Sequence, residues 1–244
     1  MGAFNLTYKA FGERSILVEW PQKIDEFIQK DVLNFKNELT KNKPKLIVEI
    51  INAYCSLTIK YITTIENINN EISYLKRRYS ACSKSQNTDF KLWHIPVCYE
   101  PEFAPDLTMF SKLKNITIEV IIERHTKPKY LVNFIGFLPG FLYLSGLDSS
   151  LEIPRKSTPE MTVKKGSVAI GGMQTGIYPM DSPGGWYVIG NSPLNFFNVN
   201  QEEPCFAKPG DYLKFYFISK IRHLEIENQL KKGSYNLEFE THHG

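Results

Sequence analysis

A chain of 244 residues can form one large domain or two small ones, and 42% hydrophobic with 23% charged residues is the composition of a globular protein with a real core. The formal net charge of +3 argues against a nucleic-acid binder with a dominant basic face, and no segment approaches the ~20 consecutive apolar residues that span a bilayer. Cys55, Cys82, Cys98 and Cys205 are scattered, without CxxC spacing or a histidine at ligand spacing, so neither structural zinc nor a redox motif is expected, and the chain reads as cytoplasmic with reduced thiols.

Phe4–Ala10 and Ile16–Trp20 read as a hairpin around the Gly12-Glu13-Arg14 turn. Ile24, Phe27, Ile28, Val32, Phe35 and Leu39 then fall on one helical face, with Asn42–Pro44 as the stop. Leu46–Ile51 and Ser56–Tyr61 read as strands, and Ile65, Ile68, Ile72, Leu75 and Tyr79 mark a second amphipathic helix. The order β-β-α-β-β-α predicts a small α+β domain with two helices on one face of a sheet. The polar stretch Ser80–Asp89 is taken as a boundary, giving an N-terminal domain over 1–82 and a second over 90–220.

In the second domain Leu92–Cys98 reads as a strand, Leu107–Leu113 as a short helix after Pro105-Asp106, and Ile116–His125 as another helix. Thr117 is its candidate cap, with Val120 and Ile121 facing inward. Short apolar runs follow at Tyr130–Ile135, Ser167–Ile170, Tyr187–Ile189, Asn195–Val199 and Tyr212–Ile218, separated by Gly/Pro turns such as Pro209-Gly210-Asp211. That pattern predicts a closed or sandwich-like β architecture. Residues 221–244 form a charged tail.

The stretch Gly171–Trp186, GGMQTGIYPMDSPGGW, holds five of the fifteen glycines and lies between two β-like runs. It reads as a long shaped loop that presents backbone amides and the polar groups Gln174, Thr175, Asp181 and Ser182 to a ligand. Gly136–Tyr143 carries two glycines, a proline and three aromatics; a tight turn with core aromatics and a pocket wall both fit. His125 stands at a helix end, where capping is the ordinary role and catalysis the rarer one. Arg155 and Lys156, between Pro154 and Pro159, suit a carboxylate or phosphate, although a basic pair in a loop is more often solvated. The chain has no phosphate-binding glycine motif, no G-x-S-x-G elbow and no Ser/His/Asp ordering. A shaped site without a complete catalytic set points to a half-site finished by a partner chain.

YLVNFIGFLPGFLYLSGLD at Tyr130–Asp148, then IPRKSTP, GSVAIGG, QTGIYP, SPGGW and a late PGD before a strand, occur in this order. Together with Gly12–Glu19, Ala53–Leu57 and Ile95–Tyr99 they resemble the B-subunit family of 5-oxoprolinase, also called allophanate hydrolase subunit 1 or the sporulation-kinase-inhibitor family. The resemblance runs to about Ile218, and the QTGIYP…SPGGW block is its most specific part. It implies an α+β fold class: a small N-terminal sheet domain and a C-terminal cyclophilin-like β-barrel. It also implies two partners, a homologous cyclophilin-like C subunit and an A subunit, in a complex that hydrolyses 5-oxo-L-proline to L-glutamate with ATP. ATP is then a substrate of the complex without a self-contained site in this chain, and no metal, nucleic acid or membrane is implied. Relatives that inhibit a sporulation histidine kinase, or that form part of urea carboxylase, supply the alternative functions.

The family's signature positions fall here on His125, Gly136, Phe137, Pro139, Gly140, Phe141, Arg155, Gln174, Thr175, Tyr178, Pro179, Ser182, Pro183, Gly184, Gly185 and Trp186. Within the oxoprolinase reading, residue type suits His125 to proton transfer, Arg155 to clamping a carboxylate, and Gln174 and Thr175 to donating hydrogen bonds to the amide or carboxylate; a competing assignment makes all of them substrate-positioning groups, with the chemistry supplied by the partners. Phe137, Pro139, Gly140, Phe141, Tyr178, Ser182, Gly184, Gly185 and Trp186 contribute to substrate binding with Thr175. Three places depart from the pattern: Glu160 where relatives usually carry Arg, Lys164-Lys165 for Pro-Ala, and Glu100-Pro101 for Gly-Gly. Glu160 reverses a local charge beside the expected anion contact.

Overall fold

The computed structural model describes residues 4–41, 44–82 and 89–242, and the chain divides into two compact units, Met1–Thr88 and Asp89–Gly244. Among the described residues no helix is long and apolar enough to cross a membrane.

The first unit has β1 (Thr7–Ala10), β2 (Ser15–Glu19), α1 (Glu26–Lys41), β3 (Ile47–Asn52), β4 (Ser56–Tyr61) and α2 (Ile68–Ala81) in that order. Its antiparallel sheet runs β1-β2-β4-β3. Ile16, Val18, Leu57 and Ile59 alternate onto one face and bury against Val32, Phe35 and Leu39 of α1 and Leu75 and Tyr79 of α2. Asp31 of α1 accepts from Trp20 Nε1 at 2.8 Å and from the Tyr79 hydroxyl at 2.5 Å, tying strand and both helices together. Phe27 departs from the sequence expectation: it lies 75% exposed, off the stripe that Ile28, Val32, Phe35 and Leu39 bury. Asn67 caps α2 by accepting from the Asn70 amide. The expected stop at Asn42–Pro44 and the boundary stretch fall largely on residues 42–43 and 83–88, outside the described residues.

The second unit is built on β5 (Phe90–Val97), β6 (Tyr130–Ile135), β7 (Leu142–Ser145), β9 (Ser167–Gly171), β10 (Gln174–Ile177), β12 (Tyr187–Asn191), β13 (Tyr212–Phe217) and β14 (Phe239–His242). They form one sheet in the order β12-β9-β10-β7-β6-β13-β5-β14. A separate two-stranded ribbon pairs β8 (Glu160–Val163) with β11 (Ser182–Gly184). Helices α3 (Leu107–Lys114) and α4 (Ile118–Thr126) precede β6, and α5 (Lys220–Lys231) follows β13. Thr117 caps α4 by accepting from the Val120 amide, and Ile121 and His125 are the residues α4 buries.

Although β12 ends the strand order and β5 stands next to its other end, Cys98 just beyond β5 bridges Asn191 of β12 with reciprocal backbone hydrogen bonds of 2.9 Å. The sheet therefore curls strongly. A Cβ on Gly190 would lie 2.7 Å from Val97 Cγ1, so this approach requires glycine. Inside the curl, Ile95, Val97, Tyr130, Val132, Leu142, Leu144, Val168, Ile170, Ile177, Leu213 and Phe215 make the main core.

Three sequence expectations change. Asn195–Val199 is not a strand; its Phe196 is buried from an irregular segment. Gly171–Trp186 is not a long loop, since β10 and β11 lie within it. The segment read as a charged tail contains most of α5, which buries His223 and Ile226, and the edge strand β14, paired antiparallel with β5.

Candidate functional site

Strand β10 separates two environments. Ile177 enters the main core and Thr175 is fully buried, whereas a Cβ on Gly176 would lie 2.9 Å from Phe141 and 3.0 Å from Trp186 on the opposite face. Gln174 shares the Gly176 face by the two-residue period of a strand. That face carries an aromatic layer. Phe141 stands edge-on to Tyr178 and Trp186 with ring centroids at 5.2 and 5.6 Å, Tyr143 packs on Phe141 at 4.9 Å, and Phe134 stacks on Tyr143 at 4.2 Å. Phe137 reaches Phe141 at 5.7 Å while staying 65% exposed, and it holds φ at 66°, a left-handed backbone rare for a bulky residue.

The glycines of the expected loop make room for these rings. A Cβ on Gly171 would lie 2.5 Å from the Trp186 indole, and one on Gly184 would collide with the Tyr178 ring. Their chief service is space for flat side chains in an ordered sheet. Gly172 and Gly185 do not serve this purpose: a Cβ on Gly185 would meet no aromatic ring, and Gly172, at φ 66°, makes the two-residue turn with Met173 between β9 and β10. Gly140, at φ 83°, closes the corner before β7, where a Cβ would lie 2.6 Å from Phe197 Cβ.

Charge enters this layer from the segment that follows Ile153. Ile153 bridges Gly172, and the Lys156 amide donates to the Gly185 carbonyl at 2.8 Å, so residues 153–156 run from the hairpin tip to the start of β12. Arg155 is exposed with its guanidinium carbon 5.7 Å from the Trp186 ring centroid, a cation–π arrangement. Its charge also acts on the Tyr143 and Tyr178 hydroxyls, although burial dominates and pushes both up, Tyr178 to about 12. Lys156 is different: Nζ lies 2.8 Å from each Asp106 carboxylate oxygen and 3.2 Å from Glu160, and the side chain is almost buried. Burial alone would lower its proton affinity; the carboxylate contacts override this and raise it. Glu160, expected to oppose an anion contact, thus answers Lys156. Among the described residues, neither the Arg155 guanidinium nor the Gln174 side-chain amide has a hydrogen-bond or ion-pair partner.

His125 lies elsewhere. It is fully buried on the core side, with its ring stacked on Phe215 at 4.7 Å. Thr175 Oγ1 donates to the Ala169 carbonyl at 3.1 Å and so accepts from His125 Nε2–H at 3.1 Å; Nδ1 then accepts from the Tyr99 hydroxyl at 2.7 Å. Every polar atom in this relay is satisfied with a neutral ring, and burial lowers the histidine pKa to about 3. His125, expected to transfer protons, is thus buried on the side of β10 away from the aromatic face, and the Thr175 hydroxyl proton is engaged by the Ala169 carbonyl. Ser182 is buried, with its hydroxyl against the Pro183 carbonyl at 3.3 Å. Asp181 accepts from Lys164 Nζ and the Lys165 amide, both at 2.8 Å, and so ties its bend to the turn between β8 and β9. Pro139 is exposed, and Gly185 is half-buried beside the Lys156 carbonyl.

Of the expected residues, the fold therefore gathers Phe137, Phe141, Tyr178, Gly184, Trp186, Arg155 and Gln174, and sends His125 and Thr175 to the other face. Tyr143 falls in the Gly136–Tyr143 segment weighed as a pocket wall, whereas sequence reasoning overlooked Phe134, which lies on β6 opposite Tyr143. It also overlooked Asp106, which reads in sequence only as a residue before a helix. Among the described residues no group of three or more His, Cys, Asp or Glu is placed to hold a metal ion.

Comparison with known proteins bears on this arrangement. Residues 6–207 match the family described as carboxyltransferase domain, subdomain C and D. The chain is 32% identical over 219 residues to the B subunit of 5-oxoprolinase from Bacillus subtilis (strain 168), covering 86% of this chain and 91% of that protein. It is 36% identical over 205 residues to the B subunit of 5-oxoprolinase from Haemophilus influenzae, covering 83% and 93%. In fold it is similar to the K. lactis urea amidolyase, with a TM-score of 0.83 at 19% identity, over 98% of this chain but only 16% of that one. With the matched stretch spanning both units and these relatives covered over most of their length, the chain belongs to the carboxyltransferase subdomain C and D family and, within it, to the relatives of the 5-oxoprolinase B subunit.

Proposed function

We propose that this chain is the B subunit of an ATP-dependent 5-oxoprolinase, an amidohydrolase complex that converts 5-oxo-L-proline to L-glutamate, with its site shared with the C subunit and with an A subunit completing the assembly. The observation that carries this reading is the pairing, on one aromatic face, of an uncommitted guanidinium at Arg155 with an uncommitted amide at Gln174. A small cyclic amide bearing a carboxylate needs those two partners: a fork-shaped cation for the carboxylate and a group that can both donate to and accept from the lactam. Phe137, largely exposed, and the half-buried Tyr143 offer flat apolar surface for the ring, while Trp186 is buried beneath Arg155.

The lactam carbonyl is a poor electrophile, and phosphorylation of its oxygen by ATP makes it hydrolysable. In this reading Gln174 donates to that oxygen as negative charge develops, and Arg155 holds the carboxylate so that the oxygen points away from it. His125 positions rather than transfers protons, because through Thr175 it fixes the register of β10 from behind. The chain has no glycine-rich phosphate cradle, and Lys156 is engaged by Asp106 and Glu160, so ATP is assigned to a partner chain. The curled sheet is read as a cyclophilin-like barrel, which the Cys98–Asn191 bridge supports, and residues 1–82 and 90–220 as the two family domains. The likeness in fold to urea amidolyase favours a second reading, a part of a urea carboxylase, which requires a biotin-carrying partner.

The test is 5-oxoproline-dependent ADP release with glutamate quantified, for the chain alone and with the A and C subunits. Activity that needs all three chains, with Arg155→Ala raising KM on the order of 10- to 100-fold and Gln174→Ala lowering kcat, is the expected result. Folded, associated subunits that release no glutamate would sink this reading and turn attention to urea carboxylation and to kinase binding.

A further inference from the structure

Lys156 and Asp106 form an ion pair at the edge of the aromatic face, and neither belongs to the ligand contacts assigned above. The side chains are 9% and 12% exposed. Asp106 stands just before α3 and serves two donors at once: Lys156 Nζ on both oxygens at 2.8 Å and the Val188 amide at 2.7 Å. Its own amide donates to the Val188 carbonyl at 3.1 Å. Lys156 is held a second time through its backbone, by the Gly185 carbonyl, and its ammonium lies 5.5 Å from the Tyr187 ring centroid. Residue 156 is thus fastened to both sides of Trp186, and Arg155, its chain neighbour, is the residue set over the indole. A long, flexible, exposed arginine does not hold one place over a ring by cation–π attraction alone, which is worth about 0.5–1 kcal/mol at exposed sites. The backbone beneath it must be fixed.

We propose that the Asp106–Lys156 pair is a latch that positions Arg155 over Trp186 for anion binding, so that Lys156 and Asp106 are positioning residues and Lys156 is not a second anion-binding cation. The assignment of a carboxylate to Arg155 rests on the function proposed above; the latch itself does not. Asp106 supplies the charge that keeps Lys156 from the ligand, and Glu160 shields its open side. From sequence the adjacent pair fits either an anion contact or a solvated loop, and nothing there separates Lys156 from Arg155.

Two measurements on the full chain test this. The first needs no activity: the indole N–H resonance of Trp186, assigned with Trp186→Phe, is compared in wild type, Arg155→Ala, Lys156→Met and Asp106→Asn. Both latch variants move it toward the Arg155→Ala position, and Lys156→Arg restores it. Asp106→Asn keeps an acceptor for the Val188 amide, so it remains informative if Lys156→Met does not fold. An unmoved Trp186 resonance in a folded latch variant overturns the proposal. The second uses the reconstituted complex: Lys156→Met raises KM for the lactam about tenfold with kcat within about twofold, and has no further effect in an Arg155→Ala background. Additive losses in the double variant would mean that Lys156 meets the ligand itself, and would equally overturn it. If no combination of the three chains releases glutamate, the functional reading fails while the resonance still decides the latch.

Discussion

His125 shows how far a residue's surroundings outweigh its type. Its ring is fully buried, holds a hydroxyl on each nitrogen and stays neutral, with its pKa lowered by burial to about 3 from 6.5. On acidification the unfolded chain takes up this proton first. The contribution to stability is therefore complete above about pH 6.5 and is lost as pH falls from there toward 3, by about 1.4 kcal/mol per unit. His223, also lowered by burial, acts in the same direction. His125→Gln should remove one histidine's share: urea titrations at pH 7 and pH 5 should show a shallower loss of stability in the variant. Equal slopes would mean that the ring is hydrated and protonated in the native state. Arg155 and Lys156 make the complementary point. Their types left an anion contact and a solvated loop both open, and only packing divides them, since the carboxylate that engages Lys156 comes from 50 residues upstream.

At the scale of the element, the hairpin β9–β10 carries the lesson. Glycine-rich sequence reads as loop because glycine is free in isolation; Gly171 is instead glycine because the Trp186 indole lies against it across the sheet. Its neighbour Gly172 has open space but a positive φ. The two should fail differently. Gly171→Ala must displace Trp186 and should cost about 1–3 kcal/mol while raising KM for the proposed lactam substrate. Gly172→Ala should cost about 1 kcal/mol through backbone strain and leave KM unchanged. Urea midpoints and steady-state kinetics on both variants separate these outcomes, and an equal KM effect would show that the turn itself, not the ring, shapes the site. The strands with plain alternation or apolar runs, such as β4, β6 and β13, were legible because local pattern suffices there. β8, β10 and β11 were not, since their small or polar residues acquire strand conformation only from partners far along the chain.

Across the whole molecule, each unit has its own buried core, and the larger one is completed by residues beyond the family-matched stretch 6–207. Helix α5 buries Ile226 in that core, and β14 covers the edge of β5. A fragment of residues 89–242 should accordingly unfold in one cooperative transition, with tertiary circular dichroism from Trp93 and Trp186, whereas 89–218 should lose cooperativity. Identical transitions for the two fragments would show that α5 and β14 add nothing to the core. The amino-acid sequence by itself determined the order of elements in the first unit, the helices α3 and α4 with the Thr117 cap, and the family. These follow from periodicity, capping chemistry and a specific motif order, all of which are local or linear. Only the tertiary structure decided that the sheet curls until Cys98 meets Asn191, that His125 and Gln174 stand on opposite faces, and that of the two adjacent cations Lys156 is ion-paired while Arg155, among the described residues, is not. Each depends on which distant groups come within a few ångströms, and burial and pairing energies are set by those neighbours rather than by the residue that carries them.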